Sequence, residues 1–414
     1  EKSSRDSLTV TFETYLKDAF GNNNNTTTHV EEPQQEEDEQ NPLFYSILLE
    51  SRTPPLPTKD HPHPQNRHPD KPHEDMESSS TIIGQALWYI GYSTTTSPQI
   101  GQFLYLEDLY IQPTSRGMGG GQLLMQALSH IGQALNCTRL EWLVLDWNTP
   151  SIDFYKKVVG ATMVEGYLTR RFNSEGLQQF LTSRETNTSS VAMTESDHPH
   201  SRSHDVALSP RSEKSCIPTT VIHHCIQKTN RLVQERNENN TLRIRRAHLE
   251  DAVTVSSFLP HRADWKHDHA DRRSFEECFH LLQDLWKNDM NPYFHGLILE
   301  NMEDQEKPAV VIGVAIWYVG YSSRGGKLVF LENMSMTPEA QTMGGEDLFF
   351  YTLADIASQW QCTRLEWRTY DECHKASSNM HDTRRIIGAT TLHNCITMRL
   401  DKEGMENFCN TWTH

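Results

Sequence analysis

The strongest constraint on this chain is that it contains one pattern twice. Gln85-Ala-Leu-Trp-Tyr-Ile-Gly-Tyr-Ser93 returns as Val314-Ala-Ile-Trp-Tyr-Val-Gly-Tyr-Ser322, and Phe103-Leu-Tyr-Leu-Glu107 returns as Leu328-Val-Phe-Leu-Glu332. Cys137-Thr-Arg-Leu-Glu-Trp142 recurs unchanged as Cys362-Thr-Arg-Leu-Glu-Trp367, and Val159-Gly-Ala-Thr162 is matched by Ile387-Gly-Ala-Thr390. Glu107 to Glu332 and Glu141 to Glu366 are both displaced by 225 positions, so register is kept across the centre of the repeat. A duplicated unit of this size is a domain, and the 414 residues divide into two copies of it.

The first copy spans 1–182, a Ser/Thr/Asn-rich linker with a short helix near Val221–Leu232 spans 183–240, and the second copy spans 241–414. Within the first copy, residues 51–80 are rich in Pro, His, Asp and Ser and interrupt a hairpin that is short in the second. Such compositions bury too little apolar surface to offset the entropy of ordering. His61, His63, His68 and His73 therefore read as part of a solvated loop rather than a metal site. The second copy opens with a strand at Thr241–Ala247 and a helical stretch. The first copy has no counterpart for these, its stretch Leu8–Phe20 matching the second helix, so the expectation is an incomplete N-terminus.

A net charge of −17 argues against a nucleic-acid surface and suits a cationic ligand. The eight cysteines include no Cys-x-x-Cys pair, which removes a zinc knuckle or a disulfide scaffold and points to a reducing, cytoplasmic compartment. A targeting signal ahead of Glu1 is left open. No apolar run reaches the roughly 18–20 residues that cross a bilayer, so no membrane partner is expected.

In the first copy, Ile82–Tyr92 and Gln102–Ile111 alternate with β-branched and aromatic residues and predict an antiparallel hairpin. Gly121–Leu135 places Leu124, Leu128, Ile131 and Leu135 on one helical face. Arg139–Trp147 reads as a strand, Thr149-Pro150 as the start of a short helix through Val159, and Ala161–Glu165 with Tyr167–Phe172 as a final strand pair. The fold class is α/β, a mixed sheet flanked by helices.

The chemistry concentrates where the strand ending at Ile111 meets Gln112-Pro-Thr-Ser-Arg116-Gly-Met-Gly-Gly-Gly121 and the following helix. Successive backbone N–H groups at a glycine-rich turn and the positive end of a helix make a seat for phosphate. The spacing is Arg-x-x-Gly-x-Gly, neither a dinucleotide fingerprint nor a Walker loop. It resembles the pyrophosphate loop of the GCN5-related N-acetyltransferases (GNAT), or acyl-CoA N-acyltransferases, and the element order agrees with that family. Together with Tyr105-Leu-Glu-Asp108, Trp147-Asn148 and Pro150-Ser-Ile-Asp-Phe-Tyr155, it is similar to the diamine acetyltransferases that act on spermidine, spermine and thialysine.

The resemblance implies two tandem GNAT domains and acetyl-CoA as cosubstrate, with no metal. It assigns Arg116, Gly117, Met118, Gly119, Gly120, Gly121 and Gln122 to the pyrophosphate, and the backbone of Leu109, Tyr110 and Ile111 to the pantetheine arm. Asn148 either bonds that arm or caps its helix, with Ser151 beside it. Tyr155 is the implied acid toward the departing thiolate, and also touches the cofactor. Glu107 is the implied amine-facing carboxylate, and Asp108 either joins it or supports the sheet. Glu141, Trp142, Leu143, Glu165 and Tyr167 fall at positions lining the amine groove, although the family usually has tryptophan where Tyr167 stands.

The second copy departs from the pattern where the chemistry lies. Arg116 corresponds to Gln341, Gly117 to Thr342, Asp108 to Asn333, and Gly121-Gln122 to Glu346-Asp347. Two carboxylates at a pyrophosphate seat add repulsion and bulk. Thr383, after an insertion-bearing His374–Asp382 segment, replaces Tyr155. The second copy is therefore expected to keep the scaffold and lose the site. The expected arrangement is an internal pseudo-dimer of the copies, or a homodimer. The expected activity is acetyl transfer to a small polyamine-like or diamine-like amine. Acetylation of thialysine, an amino acid or a protein lysine, and a non-catalytic acetyl-CoA-binding or scaffold role, are the alternatives.

Overall fold

The computed structural model describes residues 42–52, 80–94, 101–189, 217–236, 241–259, 279, 282, 294–302, 308–370, 386 and 388–410. The expected helix at Leu8–Phe20, the histidine-bearing insert and the His374–Thr383 segment lie outside these residues.

In the first copy the strands are β1 (Tyr45–Arg52), β2 (Ser80–Ser93), β3 (Gly101–Ile111), β4 (Arg139–Leu145), β5 (Thr162–Val164) and β6 (Tyr167–Asn173). Helix α1 (Gly120–Ala134) follows the glycine turn, α2 (Thr149–Phe154) continues as a π-helical turn over Tyr155–Val159, and α3 (Ser174–Ser189) follows β6. Helix α4 (Thr219–Arg236) precedes the second copy. That copy comprises β7 (Leu242–Arg246), α5 (Ala252–Phe258), β8 (Phe294–Asn301), β9 (Val310–Ser322) and β10 (Gly326–Met336). It continues with α6 (Pro338–Thr342), α7 (Gly345–Gln359), β11 (Arg364–Tyr370), β12 (Thr390–Leu392), β13 (Cys395–Asp401) and α8 (Lys402–Asn410). The result is two mixed sheets with helices packed on them.

The sheets exchange their last long strands. The first runs β1-β2-β3-β4-β13-β5 and the second β12-β6-β11-β10-β9-β8-β7. The expected β5–β6 pair is therefore not formed: β6 lies between β11 and β12, with Tyr167 opposite Tyr370 and Phe172 opposite Leu365. Reciprocally, β13 lies between β4 and β5, with Cys395 opposite Leu145 and Leu400 opposite Leu140. The apolar side chains explain why the crossing holds. Phe172 packs among Phe180, Phe350 and Trp367 in the second core, with ring centroids 5.1, 6.3 and 5.2 Å away. Met398, Leu400, Met405 and Phe408 fill the first core around Leu128, Leu140 and Trp142.

The segment read as a linker holds more structure than its composition suggests. Ile222, Cys225, Ile226, Thr229 and Val233 form one buried face of α4 at helical spacing. Asn230 brackets Ile244 of β7, donating to its carbonyl and accepting its N–H, both at 2.8 Å. Lys228 reaches Asp355 of α7 at 3.1 Å. The short helix expected near Val221–Leu232 is thus present, and it extends a turn further at its C-terminal end than its polar flanks suggest. Among the described residues no helix is long and apolar enough to cross a membrane.

Candidate active site

The site is set by a split in the first sheet. Strands β3 and β4 pair in parallel only at Leu104–Leu140, Tyr105–Glu141 and Leu106–Trp142, and then part. Beyond the split, Leu109, Tyr110 and Ile111 stay paired with Ala86, Gln85 and Gly84 of β2. Their opposite backbone edge faces no strand in the described ladder, which suits an extended ligand arm. The β2–β3 register skips Glu107, passing from Leu87–Asp108 to Trp88–Leu106. Glu107 is thus the extra residue of a β-bulge, a device that re-aims a side chain.

At the end of β3 the chain turns through a short 3-10 segment at Pro113–Ser115, and Arg116 Nε donates to the Ile111 carbonyl at 3.1 Å. Gly117 and Gly119 have φ of 79° and 84°, the left-handed region where a side chain is strained. Helix α1 then starts at Gly120 with Gly119 as its N-cap, no side-chain cap and no acidic residue in its first turn. The first-turn N–H groups of Gly120, Gly121 and Gln122 therefore point out of the helix without an internal acceptor. A Cβ at Gly120 would meet Leu49 Cδ2 at 2.7 Å, so that glycine also seats the turn against β1. Met118 is exposed at the tip. These features fit an anionic pyrophosphate.

The second copy has the same backbone with opposite charge. Gly344, φ 82°, caps α7, whose first turn carries Glu346 and Asp347. Asp347 pairs with Arg184 of α3 at 2.5 Å. Acidic side chains thus take the helix end that an anion would use.

Tyr155 begins the π-helical turn after α2 and is almost wholly buried. It packs 4.8 Å from Trp142 and 5.4 Å from Phe154. Burial, and then the charge of Asp108, push its pKa up to about 12. Asp108 and Glu107 thus act on different neighbours, the first on Tyr155 and the second on the other copy. Asn148 is the N-cap of α2, yet its side chain makes no cap bond. Capping by that amide is thereby set aside, and Ser151 sits in the same first turn.

Glu107 is partly buried, and its Oε1 accepts the Ser323 N–H of the second copy at 3.2 Å. Burial raises its pKa to about 7, against the opposing pull of Arg364 and of the Ser322 and Ser323 donors.

Three expected substrate-lining residues sit elsewhere. Glu141 has no exposed surface and is held by Arg139 at 2.9 Å, Arg399 at 2.7 Å and Arg368 at 2.5 Å. Burial alone would raise its pKa, but the three guanidiniums, Arg368 first, hold it well below the usual carboxylate range. It is a structural charge between the copies, out of a substrate's reach. Trp142 is a core residue beneath Tyr155. Tyr167 enters the second sheet, and Cys395 of β13 takes the equivalent place beside Leu145 in the first. Leu143 is half-buried on β4, and Glu165 is exposed just after β5, with β13 between β5 and β4. The residues missed in the sequence are Ser322, Ser323, Arg364, Arg368 and Arg399. The unchanged Cys-Thr-Arg-Leu-Glu-Trp repeat was the available signal, since it duplicates the Arg139–Glu141 pair as Arg364–Glu366.

Residues 41–161 match the model of the acetyltransferase (GNAT) family. The chain is 39% identical over 99 residues to a thialysine N-epsilon-acetyltransferase of Caenorhabditis elegans, covering 23% of this chain and 59% of that protein. It is 35% identical over 103 residues to the enzyme of that name from Mus musculus, covering 24% and 58%. It is 28% identical over 174 residues to spermidine/spermine N(1)-acetyltransferase-like protein 1 of Homo sapiens, covering 42% and 19%. The chain thus spans little more than half the length of its thialysine-acetyltransferase relatives. A solved tandem GNAT protein from clavulanic acid biosynthesis aligns over 79% of this chain and 81% of its own, at 10% identity and a TM-score of 0.38, too low to carry an argument. The part of the chain that matches the GNAT acetyltransferase family is thus residues 41–161, the stretch that holds the split sheet and the glycine-turn helix entry.

Proposed function

We propose that the first copy transfers an acetyl group from acetyl-CoA to a primary amine of a small, cationic, polyamine-like or diamine-like substrate. The observation that carries this reading is the β3–β4 split. One break in the sheet gathers an uncapped helix end, an open backbone edge, a carboxyl of raised pKa and a buried phenol.

Acetyl-CoA, when bound, supplies an acyl group already activated as a thioester. Arg116 and the amides from Gly117 to Gln122 hold its pyrophosphate, while Leu109–Ile111 and Asn148 align its arm. Glu107 attracts the ammonium group and accepts its proton, directly or through a water. An alkylammonium of pKa near 10 gives up a proton more readily to a carboxyl near 7 than to one near 4.5. Tyr155, near 12, keeps its proton throughout the working range and donates a hydrogen bond to the departing sulfur. The freed amine nitrogen bonds the acetyl carbon as its C–S bond breaks. The phenol stabilises the departing sulfur, whose thiol has a pKa of about 8.5, and the second proton that the nitrogen sheds on becoming an amide leaves that sulfur as a thiol.

The relatives named for thialysine favour a second reading, in which the acceptor is the ε-amine of that amino acid. The second copy, with acidic residues at its helix entry, acts without turnover as the partner in an internal pseudo-dimer, and the exchanged strands support this. The buried thiols of Cys137, Cys225 and Cys409 support a reducing, cytoplasmic setting. Acetylation of spermidine, spermine, thialysine and lysine, with Tyr155→Phe as control, tests the reading. Turnover of at least one amine that falls about a hundredfold without the phenol is expected. Equal rates with and without it would remove Tyr155 from the chemistry.

A further inference from the structure

Glu107 is completed by the other copy. Ser322 ends β9, Ser323 follows it, and Arg364 opens β11. All three act on the Glu107 carboxylate, Ser323 through its N–H, Ser322 through its hydroxyl and Arg364 through its charge. The mirror image exists across the boundary. Glu332, also skipped by its β-bulge, accepts the Thr94 N–H at 2.9 Å and is acted on by Ser93 and Arg139. Both assemblies are built from the Gly-Tyr-Ser and Cys-Thr-Arg-Leu-Glu-Trp repeats, yet only Glu107 stands beside a helix entry free of carboxylates.

We propose that the second copy is a positioning part of the first copy's active site: the Ser322–Ser323 turn and Arg364 orient the Glu107 carboxylate and hold its charge toward the amine. This rests on the reading of Glu107 as the amine-facing group. Arg364 is itself steadied by Glu366, its Nε 2.8 Å from Oε1, and Glu366 by Arg171 of the exchanged strand β6 at 2.5 Å. The strand that leaves the first sheet thus acts back on that sheet's own site. Glu366, Tyr89 and Tyr105 complete the titratable surroundings of Glu107. Glu366 opposes Arg364, so the guanidinium is the group whose removal moves Glu107 furthest.

The test is the pH dependence of kcat/KM for the full chain with spermidine and with thialysine, in wild type, Arg364→Met, Arg364→Lys and Ser322→Ala. Losing a cation raises a carboxyl pKa, so the acid limb, expected near 7, moves up in Arg364→Met. A move of about one pH unit cuts the ionised fraction at pH 7 from about one half to about one tenth, a roughly fivefold fall in rate. Arg364→Lys restores the limb, and Ser322→Ala moves it the same way by less, keeping a readout if Arg364→Met fails to fold. An unmoved limb in both Arg364→Met and Ser322→Ala overturns the proposal, whatever happens to the overall rate. A 13C titration of labelled glutamate carboxyls, assigned with Glu107→Gln, separates the two claims. If the Glu107 resonance shifts in Arg364→Met while no amine is acetylated, the positioning stands and the proposed activity fails. If amines are acetylated and Glu107→Gln is unimpaired, the activity stands and the positioning role fails.

Discussion

Replacing Glu107 with glutamine should stabilise the protein above neutral pH and leave it nearly unchanged in acid. The carboxyl titrates at about 7 in the fold against an ordinary 4.5, because burial disfavours its charge more than Arg364 and the serine donors favour it. A carboxyl whose folded pKa is raised carries no penalty below about 4.5 and costs stability as the pH climbs through about 7. The displacement is about 2.5 pH units, worth ~3.4 kcal/mol at 1.36 kcal/mol per unit. Glu107 keeps some contact with solvent, and screening leaves roughly half of that, ~1.5–2 kcal/mol. Glutamine retains the size and an oxygen to accept the Ser323 N–H, so packing cancels in the comparison. Urea unfolding of both proteins at pH 4.5 and pH 8.5 reads the difference, expected near zero at the lower pH and in favour of Glu107→Gln at the higher. A variant less stable than wild type at pH 8.5, or equally stabilised at both, would refute the reasoning. In either case the bulge glutamate would not carry a raised pKa.

The helix entry and the boundary between copies give three more tests. Gly121→Glu copies the second copy's Glu346 and should weaken acetyl-CoA binding at least about tenfold by calorimetry, ~1.4 kcal/mol. Gly121→Ala should change it little, since a Cβ there only touches the Phe154 ring at 3.5 Å; equal losses in both would make the effect steric. Glu141→Ala leaves Arg139, Arg368 and Arg399 facing one another in a buried site and should cost about 3–5 kcal/mol in urea unfolding. A loss below about 1 kcal/mol would mean that the cluster is solvated. A protease site introduced near residue 200 should give nicked halves that still co-elute on size exclusion, because β6 and β13 are each hydrogen-bonded inside the other copy's sheet. Separation of the halves without denaturant would count against the exchange.

Much of the glycine turn proposed to hold the cofactor was legible because its backbone requirements are local. Glycines at 117 and 119 permit a left-handed turn, an apolar face from Leu124 to Leu128 makes α1, and Pro150 marks the first turn of α2. The surroundings of Glu107 and Glu141, where the amine is proposed to bind, were less legible because their residues come from distant sequence. Glu141 reads as a groove carboxylate until Arg368 and Arg399, more than two hundred positions away, are found on it. The helix expected near Val221–Leu232 is present and runs over 219–236; only its extent was hidden, since its buried stripe of Ile222, Cys225, Ile226 and Val233 is set among polar residues.

The strand exchange could not have been read from either copy, and the cause is the duplication itself. Leu168-Thr-Arg-Arg-Phe172 and Ile396-Thr-Met-Arg-Leu400 offer the same alternation, with Phe172 and Leu400 as the buried apolar ends and Arg171 and Arg399 as matching cations. Each arginine can satisfy the glutamate of either Arg-x-Glu pair, Glu141 or Glu366, so charge complementarity does not choose a sheet. The two-residue connection Glu165-Gly166, with Gly166 at φ 82°, would equally allow a local hairpin. Side-chain bulk differs between the choices. Phe172 fills an aromatic site against Phe350 and Trp367, while Met398 and Leu400 enter a core whose helix presents Met125 and Leu128. Returning each strand to its own sheet would put a phenylalanine where leucine now fits and leave a cavity among the second copy's aromatics, losses of the kind that cost a few kcal/mol in a packed core. Once each sheet depends on the other's strand, the second copy is no longer free to drift away when its own helix entry turns acidic. Arg364 and Ser322 stay in place beside Glu107 for the same reason that Phe172 stays beside Trp367.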